Sequence, residues 1–359
     1  MHLPFCAHRC GYCDFVTVVG RNDDHAVYVE ALLAELELER GLLAPELETI
    51  FLGGGTPTFT EPGALERLLA ALPPANEVTV EANPETVSQD VARTLRSLGV
   101  NRVSLGVQSF RPHLLEVLER VAQPETVRRA YYHLRDAGFD NISFDLIYGI
   151  PGQSTADLEA DLEDAVELAP EHLSCYELEA KPGTRFTHAH GEELERLAED
   201  MESYFELVVD TLTSALYRWY ETANFCGVAE RRDLRARHNL AYWLGRDYLG
   251  LGIGAVSTIE GRRWRNTPRL PVYIAELAAG RRPPRELEPL PLDVRRRERV
   301  MLGLRLDEPL HVDGLGDLLD ERALERLERL GLVARSAQTL TLTRRGRMLG
   351  GGVTADLLA

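Results

Sequence analysis

The chain holds a single lysine, Lys181, so nearly all of its positive charge is arginine, a permanent cation whose planar fork pairs anions bidentately. Positive charge as a whole is in the minority. Forty basic residues face 57 acidic ones, a formal net charge of −17, the opposite of what a broad electrostatic nucleic-acid binder carries. No apolar run approaches the roughly 18 residues that mark a membrane-spanning helix. The start, Met1-His2-Leu3-Pro4-Phe5-Cys6, lacks the basic and apolar regions of a signal peptide. The expected location is therefore cytoplasmic, where disulfides are rare. There are only five cysteines, an odd number, and Cys6, Cys10 and Cys13 fall within eight residues of one another. That crowding speaks against a disulfide framework and for a metal or redox site. No internal repeat and no low-complexity tract is found. What is present is an apolar fraction of 44%, enough for a full core and too much for whole-chain disorder. The 359 residues suit one large domain or two to three ordinary ones.

Short β-branched runs alternate with amphipathic stretches over the first half. Strands are predicted at Thr49 to Leu52, Val78 to Ala82, Arg102 to Val107, Asn141 to Ile147 and His172 to Leu178, each bounded by turn-forming residues. Helices are predicted over Asp24 to Glu39, Pro62 to Leu72, Ser88 to Leu98, Pro112 to Leu118, Pro124 to Ala137 and Ser154 to Leu168, several opening with a capping Ser or Asp or an early Pro. Such alternation predicts parallel strands with right-handed crossovers. With one more strand around Met1 to Phe5, the expectation is an α/β fold: a partial (β/α)6 TIM-like barrel whose polar and glycine-rich motifs follow the strands, where such folds place their sites. After Pro182-Gly183 the pattern changes. Glu192 to Tyr217 reads as one long helix, Leu249 to Ile259 as a Gly-rich apolar stretch, and Arg281 to Pro291, with its four prolines, as a linker. Helices over Val294 to Leu304 and Glu321 to Leu330, a hairpin strand over Ser336 to Leu342 and a final helix from Arg344 suggest a small winged-helix-like domain. The expected division is 1–190 for the partial barrel, 191–280 for a mixed α/β region and 281–359 for the C-terminal domain.

Cys6, Cys10 and Cys13 have the spacing C-x3-C-x2-C. A structural zinc site wants four ligands, which His2 or His8 could complete. Three thiolates with no fourth nearby suit a cubane iron–sulfur cluster with one iron left open to chelate a small ligand. Gly53 to Gly55 end a strand without side chains, so backbone groups can meet a ligand there. Glu81 and Asp145 are charged residues at the ends of apolar strands, costly to bury unless a partner or ligand meets them. Arg120 can pair a carboxylate bidentately or lie on a helix face.

The cysteine motif, with Tyr12 before its last member, resembles the signature of the radical S-adenosylmethionine (SAM) superfamily. The preceding His2-Leu3-Pro4-Phe5 resembles its coproporphyrinogen-dehydrogenase-like branch. Gly53-Gly54-Gly55-Thr56-Pro57, Glu81-Ala82-Asn83-Pro84, Gly106-Val107-Gln108-Ser109-Phe110, Asp145 to Gly152 and Pro182-Gly183-Thr184 follow in that family's order. The resemblance implies a 4Fe-4S cluster on Cys6, Cys10 and Cys13. It implies SAM near Gly54, Gly55, Thr56, Glu81, Gln108, Arg120 and Asp145, with Tyr12 either an adenine contact or packing. The family has a strand ahead of the His2 motif that carries a SAM-touching tyrosine; here the expectation is either a mis-set start or a shortened first strand. Ala122 and Val256 stand where relatives often have histidine.

Within this branch the oxygen-independent coproporphyrinogen III dehydrogenases resemble C-x3-C-x2-C-x-C, and Phe15 occupies the place of their further cysteine. HemW-type haem chaperones resemble the Phe15 pattern and carry an HNxxYW motif, matched by His238-Asn239-Leu240-Ala241-Tyr242-Trp243. Neutral imidazole is a good axial ligand for haem iron, and on a helix Tyr242 and Trp243 could lie against the macrocycle. Asn239 could orient the histidine or a propionate; the bland alternative is an ordinary core-edge segment. The resemblance thus implies a carrier that takes haem as cargo on His238, Asn239, Tyr242 and Trp243 and passes it to haem-acceptor respiratory proteins. It leaves a homodimer and a peripheral membrane association open. The competing reading is radical decarboxylation of a porphyrinogen. A third, RNA modification, lacks an evident basic groove. Cys175 and Cys226 are expected to be buried structural thiols. From Pro291 onwards 12 arginines meet 11 acidic residues, too little excess for a DNA-binding winged helix.

Overall fold

The computed structural model describes residues 1–179, 181 and 185–358. Pro182-Gly183-Thr184, one of the sequence motifs, lies outside the described residues. The centre is an eight-stranded sheet. Six strands run parallel in chain order: His2–Leu3, Leu47–Gly54, Ala75–Ala82, Arg102–Gln108, Ile142–Tyr148 and His172–Glu177. These are the six expected from the sequence. Two short antiparallel strands, Asn224–Cys226 and Arg218–Trp219, extend the far edge. The helices His25–Leu38, Pro62–Ala71, Gln89–Ser97, Pro124–Asp136 and Thr155–Leu168 connect the strands.

Alternation along each strand divides the sheet into two faces. One face, with Ile50, Leu52, Val78, Val80, Val103, Leu105, Ile142, Phe144 and Leu173, packs on the helices in the main hydrophobic cluster. The other face carries Glu77, Thr79, Ser104, Ser143, His172 and Ser174, polar and nearly all below one-tenth exposed. Buried polar groups need partners. His172 shows how this is met: its Nδ1 lies 2.7 Å from Ser143 Oγ and its Nε2 2.8 Å from Tyr220 Oη.

Four expectations are corrected. The single helix over Glu192 to Tyr217 is two, Arg185–Leu197 and Met201–Ser214, separated by a turn at 198–200. The second helix turns Tyr204, Val208, Val209 and Leu212 onto the core, a stripe that the first does not continue. The linker expected over Arg281 to Pro291 contains a strand, Arg285–Pro289, paired along its length with Arg262–Asn266. Its prolines lie at or beyond its ends, where no ladder donor is missed. The final helix is likewise split, into Arg344–Met348 and Gly350–Leu357. The main sheet also extends past residue 190 through its two antiparallel strands.

The sheet formed by Val256–Ile259, Arg262–Asn266 and Arg285–Pro289 is tied to the barrel by Glu35, which is fully buried. Its carboxylate accepts hydrogen bonds from Gly252 N (2.8 Å), Asn266 Nδ2 (2.7 Å) and Tyr273 Oη (2.6 Å). A separate small core, including Val300, Leu310, Leu324, Leu340 and Val353, holds the C-terminal helices and their three-stranded sheet. Among the described residues, no helix is long and apolar enough to cross a membrane.

Candidate functional site

A cavity of about 460 Å³ opens at the C-terminal ends of the parallel strands. It is lined by Cys6, Cys10, Cys13, Tyr12, Gly54, Gly55, Thr56, Glu81, Gln108, Arg120 and Asp145, every residue that the sequence assigned to cluster and SAM. Phe15, at the place of the enzymes' further cysteine, lines it too and is 62% exposed. The three thiols are free and half-buried. Burial pushes the thiols of Cys6 and Cys13 above their ordinary pKa. Among the described residues, no three His, Cys, Asp or Glu side chains converge on one point as a single metal ion would need. Of the candidate zinc partners, His2 Nε2 is engaged with the Val16 carbonyl (2.8 Å), while His8 Nε2 meets the Glu119 carbonyl (2.8 Å) and also lies 3.6 Å from Cys10 Sγ.

The glycine motif has a steric cause as well as an open backbone. Gly54 lies at φ +112°, in the region that favours glycine. A Cβ on Gly55 would stand 2.6 Å from the Pro4 carbonyl carbon, inside the backbone of the neighbouring strand. This close approach lets Gly55 N donate to Leu3 O (2.8 Å) and Thr56 N to Phe5 O (2.9 Å), which fixes the start of the cysteine loop. Thr56 Oγ1 then meets Cys6 Sγ at 3.5 Å and accepts from Asn83 Nδ2 at 3.0 Å.

Arg120 is not a helix-face charge. It follows the helix Pro112–Val117 after Glu119, whose φ of +55° turns the chain inward. Its Nη2 donates to Asn83 Oδ1 (2.8 Å) and Gly106 O (3.0 Å), its Nη1 lies 4.0 Å from Cys10 Sγ, and its Nε is buried with no partner. Gln108 is reached through a bulge against the next strand and also has positive φ, +67°. Such non-glycine backbone persists where surroundings enforce it, commonly at ligand sites. Glu81 accepts from Gly54 N (3.0 Å); burial and then the facing Asp145 push its pKa up to about 7. Burial also raises Asp145, opposed by hydrogen bonds from Ser174 and Ser104. Two half-buried carboxylates and an unspent guanidinium nitrogen thus meet three thiols in one cavity. Tyr12 lines the same cavity and also packs edge-on to Phe186.

The HNxxYW segment forms the helix Arg237–Trp243. It docks on the opposite, N-terminal half of the barrel strands. Glu77 accepts from Arg237 N and His238 N, both at 3.2 Å, and so caps the helix from another strand. His238 stacks on Phe51 with centroids 4.8 Å apart, and its Nδ1 shares a 2.9 Å hydrogen bond with Thr49 Oγ1. Its Nε2 faces Tyr242 Oη at 3.1 Å. Burial lowers its pKa to about 3, which keeps the imidazole neutral, the form that ligates iron. The Trp243 indole Nε1 is buried without a partner, and the Arg305 guanidinium lies 4.4 Å above its ring. Asn239 is half-buried on the same helix. Thr49, Phe51 and Glu77 were not predicted; no motif marks them, and only the fold brings them to His238.

The Radical SAM superfamily model matches residues 1–165, and the HemN C-terminal domain model matches residues 290–349. The heme chaperone HemW of Mycobacterium tuberculosis is 37% identical over 372 residues, covering 100% of this chain and 94% of that protein. The chain belongs to the HemW family of the radical SAM superfamily. The HemW of Bacillus subtilis is 33% identical, covering 100% of this chain and 98% of the relative, and that of Escherichia coli is 37% identical over 74% of this chain and 72% of its own. In fold the chain is similar to the coproporphyrinogen III oxidase HemN of Escherichia coli, with a TM-score of 0.82 at 24% identity over 100% of this chain and 89% of that one. Radical SAM membership implies a 4Fe-4S cluster and SAM. The donor set fits both: free thiols around one cavity for the cluster, and half-buried carboxylates beside an arginine for a zwitterionic ligand. Cys175 and Cys226 are each 3% exposed, and burial raises the latter to about 11.

Proposed function

We propose that this protein binds haem on the His238 helix and delivers it to haem-acceptor respiratory proteins, while holding a 4Fe-4S cluster and SAM in the barrel cavity. Cys6, Cys10 and Cys13 would hold the cluster. Arg120 would pair the SAM carboxylate, and Glu81 and Asp145 would accept from its ammonium or ribose hydroxyls. When bound and reduced, such a cluster supplies an electron to SAM; the residues here position the ligand and exclude water around it. The observation that carries the haem reading is His238 itself. It is held neutral, stacked on Phe51 and oriented by Thr49, with its second nitrogen facing the phenol of Tyr242, which is 36% exposed. A neutral imidazole whose other nitrogen is held by a hydrogen bond is what an axial ligand requires.

The alternative, decarboxylation of coproporphyrinogen III, draws on the fold shared with HemN. Phe15 in place of a further cysteine, and full-length identity to chaperones named HemW, favour the carrier. The test is anaerobic reconstitution followed by haem titration of wild type and His238→Ala. The carrier reading expects a Soret band that the variant loses and no protoporphyrinogen IX from coproporphyrinogen III. Equal haem binding by both proteins, or turnover, overturns it.

A further inference from the structure

A second cavity, about 760 Å³, lies between the edge of the main sheet and the C-terminal helices. That volume is within the roughly 300–1,000 Å³ of small-molecule sites. Three of the chain's four methionines, Met201, Met301 and Met348, line it, together with Phe205 and Trp219. Thioethers and aromatic faces make an adaptable apolar wall for a flat ligand. Its cations all come from one side. Arg297, Arg305 and Arg347 belong to the C-terminal part, whereas Glu177, Glu202 and Glu206 come from the sheet and the helix after it. Among the described residues no ion pair joins the two sets, and none of the three arginines is in an ion pair at all. Arg347 lies 3.6 Å over the Trp219 ring, with its Nε and Nη2 buried and unpartnered. Buried guanidinium hydrogens without acceptors are costly unless a ligand meets them.

The cavity also joins the two sites already described. Tyr176 and Glu177 line both it and the thiol cavity. Arg305 lines it and covers Trp243 of the haem helix.

We infer that this cavity is a second tetrapyrrole site, which takes the macrocycle edge-on against the methionines and pairs its propionates with the arginines. The inference rests on the haem-carrier reading for the identity of the cargo, but not on His238. It places a station between the haem helix and the cluster cavity, on the side of the C-terminal domain.

Iron-free protoporphyrin IX separates the two sites, because it has no metal for His238 to ligate. Its fluorescence would be followed with the full-length, anaerobically reconstituted protein. The expected result is binding by wild type and by His238→Ala with the same affinity. Arg297→Glu/Arg305→Glu, at two exposed positions, should weaken it by about tenfold or more, the scale of a lost charged hydrogen-bond pair. Thr354→Trp, which fills the cavity from the last helix, provides a second, charge-neutral variant with the same expectation. No binding by wild type overturns the inference. So does equal binding by wild type and both cavity variants, and so does loss in His238→Ala alone. Haem titration of wild type and His238→Ala, read at the Soret band, reports on the carrier reading separately. Haem bound through His238 with no protoporphyrin site would remove only the second station.

Discussion

The imidazole of His238 lies flat against the ring of Phe51, centroids 4.8 Å apart and 12° from parallel. Phe51 in turn lies on the strand that ends in the glycine motif. A Cβ on Gly53 would stand 2.5 Å from the Phe51 ring and 2.6 Å from Glu81 Oε2. The Phe51 ring therefore lies between the His238 helix and Glu81, which lines the thiol cavity.

Thr49 orients the histidine from 189 residues away in sequence. Groups that orient a metal ligand are commonly worth about 10- to 100-fold in affinity. Thr49→Val is expected to weaken haem binding about tenfold while leaving the cluster and SAM affinity unchanged, measured by Soret titration and by iron content. Tyr242→Phe, which uncovers Nε2, should retain haem.

Glu81 gives a pH signature. Its folded pKa of about 7 lies above the ordinary 4.5, chiefly through burial. The folded state therefore binds an extra proton between those values, and stability falls as pH rises from 4.5 through 7. Glu81→Gln keeps an acceptor for Gly54 N and removes the buried charge. The variant should melt higher than wild type at pH 8, with little difference at pH 4.5, and bind SAM about tenfold more weakly. Scanning calorimetry at both pH values and SAM titration check this.

Arg120 bridges the thiol loop and the strand ends through Asn83 and Gly106. Lysine has neither the fork nor the reach to replace both bonds. Arg120→Lys is expected to reconstitute iron and sulfide as wild type does, but to lose SAM affinity by tenfold or more, on the scale of about 1.5–3 kcal/mol for a charged hydrogen bond.

Gly55→Ala would place a methyl 2.6 Å from the Pro4 backbone. Overpacking of this kind costs about 1–3 kcal/mol. Thermal unfolding should show the loss, and the cysteine loop, anchored by the Gly55 and Thr56 amides, should reconstitute poorly.

Much of this was legible in the sequence because the site is built at strand ends. Glycine, proline and asparagine punctuate those ends, and the motifs that stop a strand also line the cavity, so Gly54, Glu81 and Asp145 stand out in the sequence, and the family resemblance adds Gln108. For Arg120 only the family resemblance pointed inward; the residues themselves left a helix-face position open, because the inward turn depends on the positive φ of Glu119. Thr49 and Glu77 were invisible for a different reason: they are ordinary strand residues whose role arises only when a helix from residue 237 docks on them. The strands Arg218–Trp219 and Asn224–Cys226 are too short to show a period. Pro283 and Pro284 concealed the strand that begins at Arg285, since prolines just before a strand read as a linker. The turn at 198–200 interrupts a run of helix-compatible residues that local propensity alone would not break.

The most direct test of the account is electron paramagnetic resonance of the reconstituted, dithionite-reduced protein with and without SAM. The account predicts a 4Fe-4S signal that shifts when SAM is added, is absent in Cys10→Ala, and keeps its unshifted form in Arg120→Lys at SAM concentrations that shift wild type. A protein that takes up zinc instead, or shows no iron and no acid-labile sulfide, would contradict it.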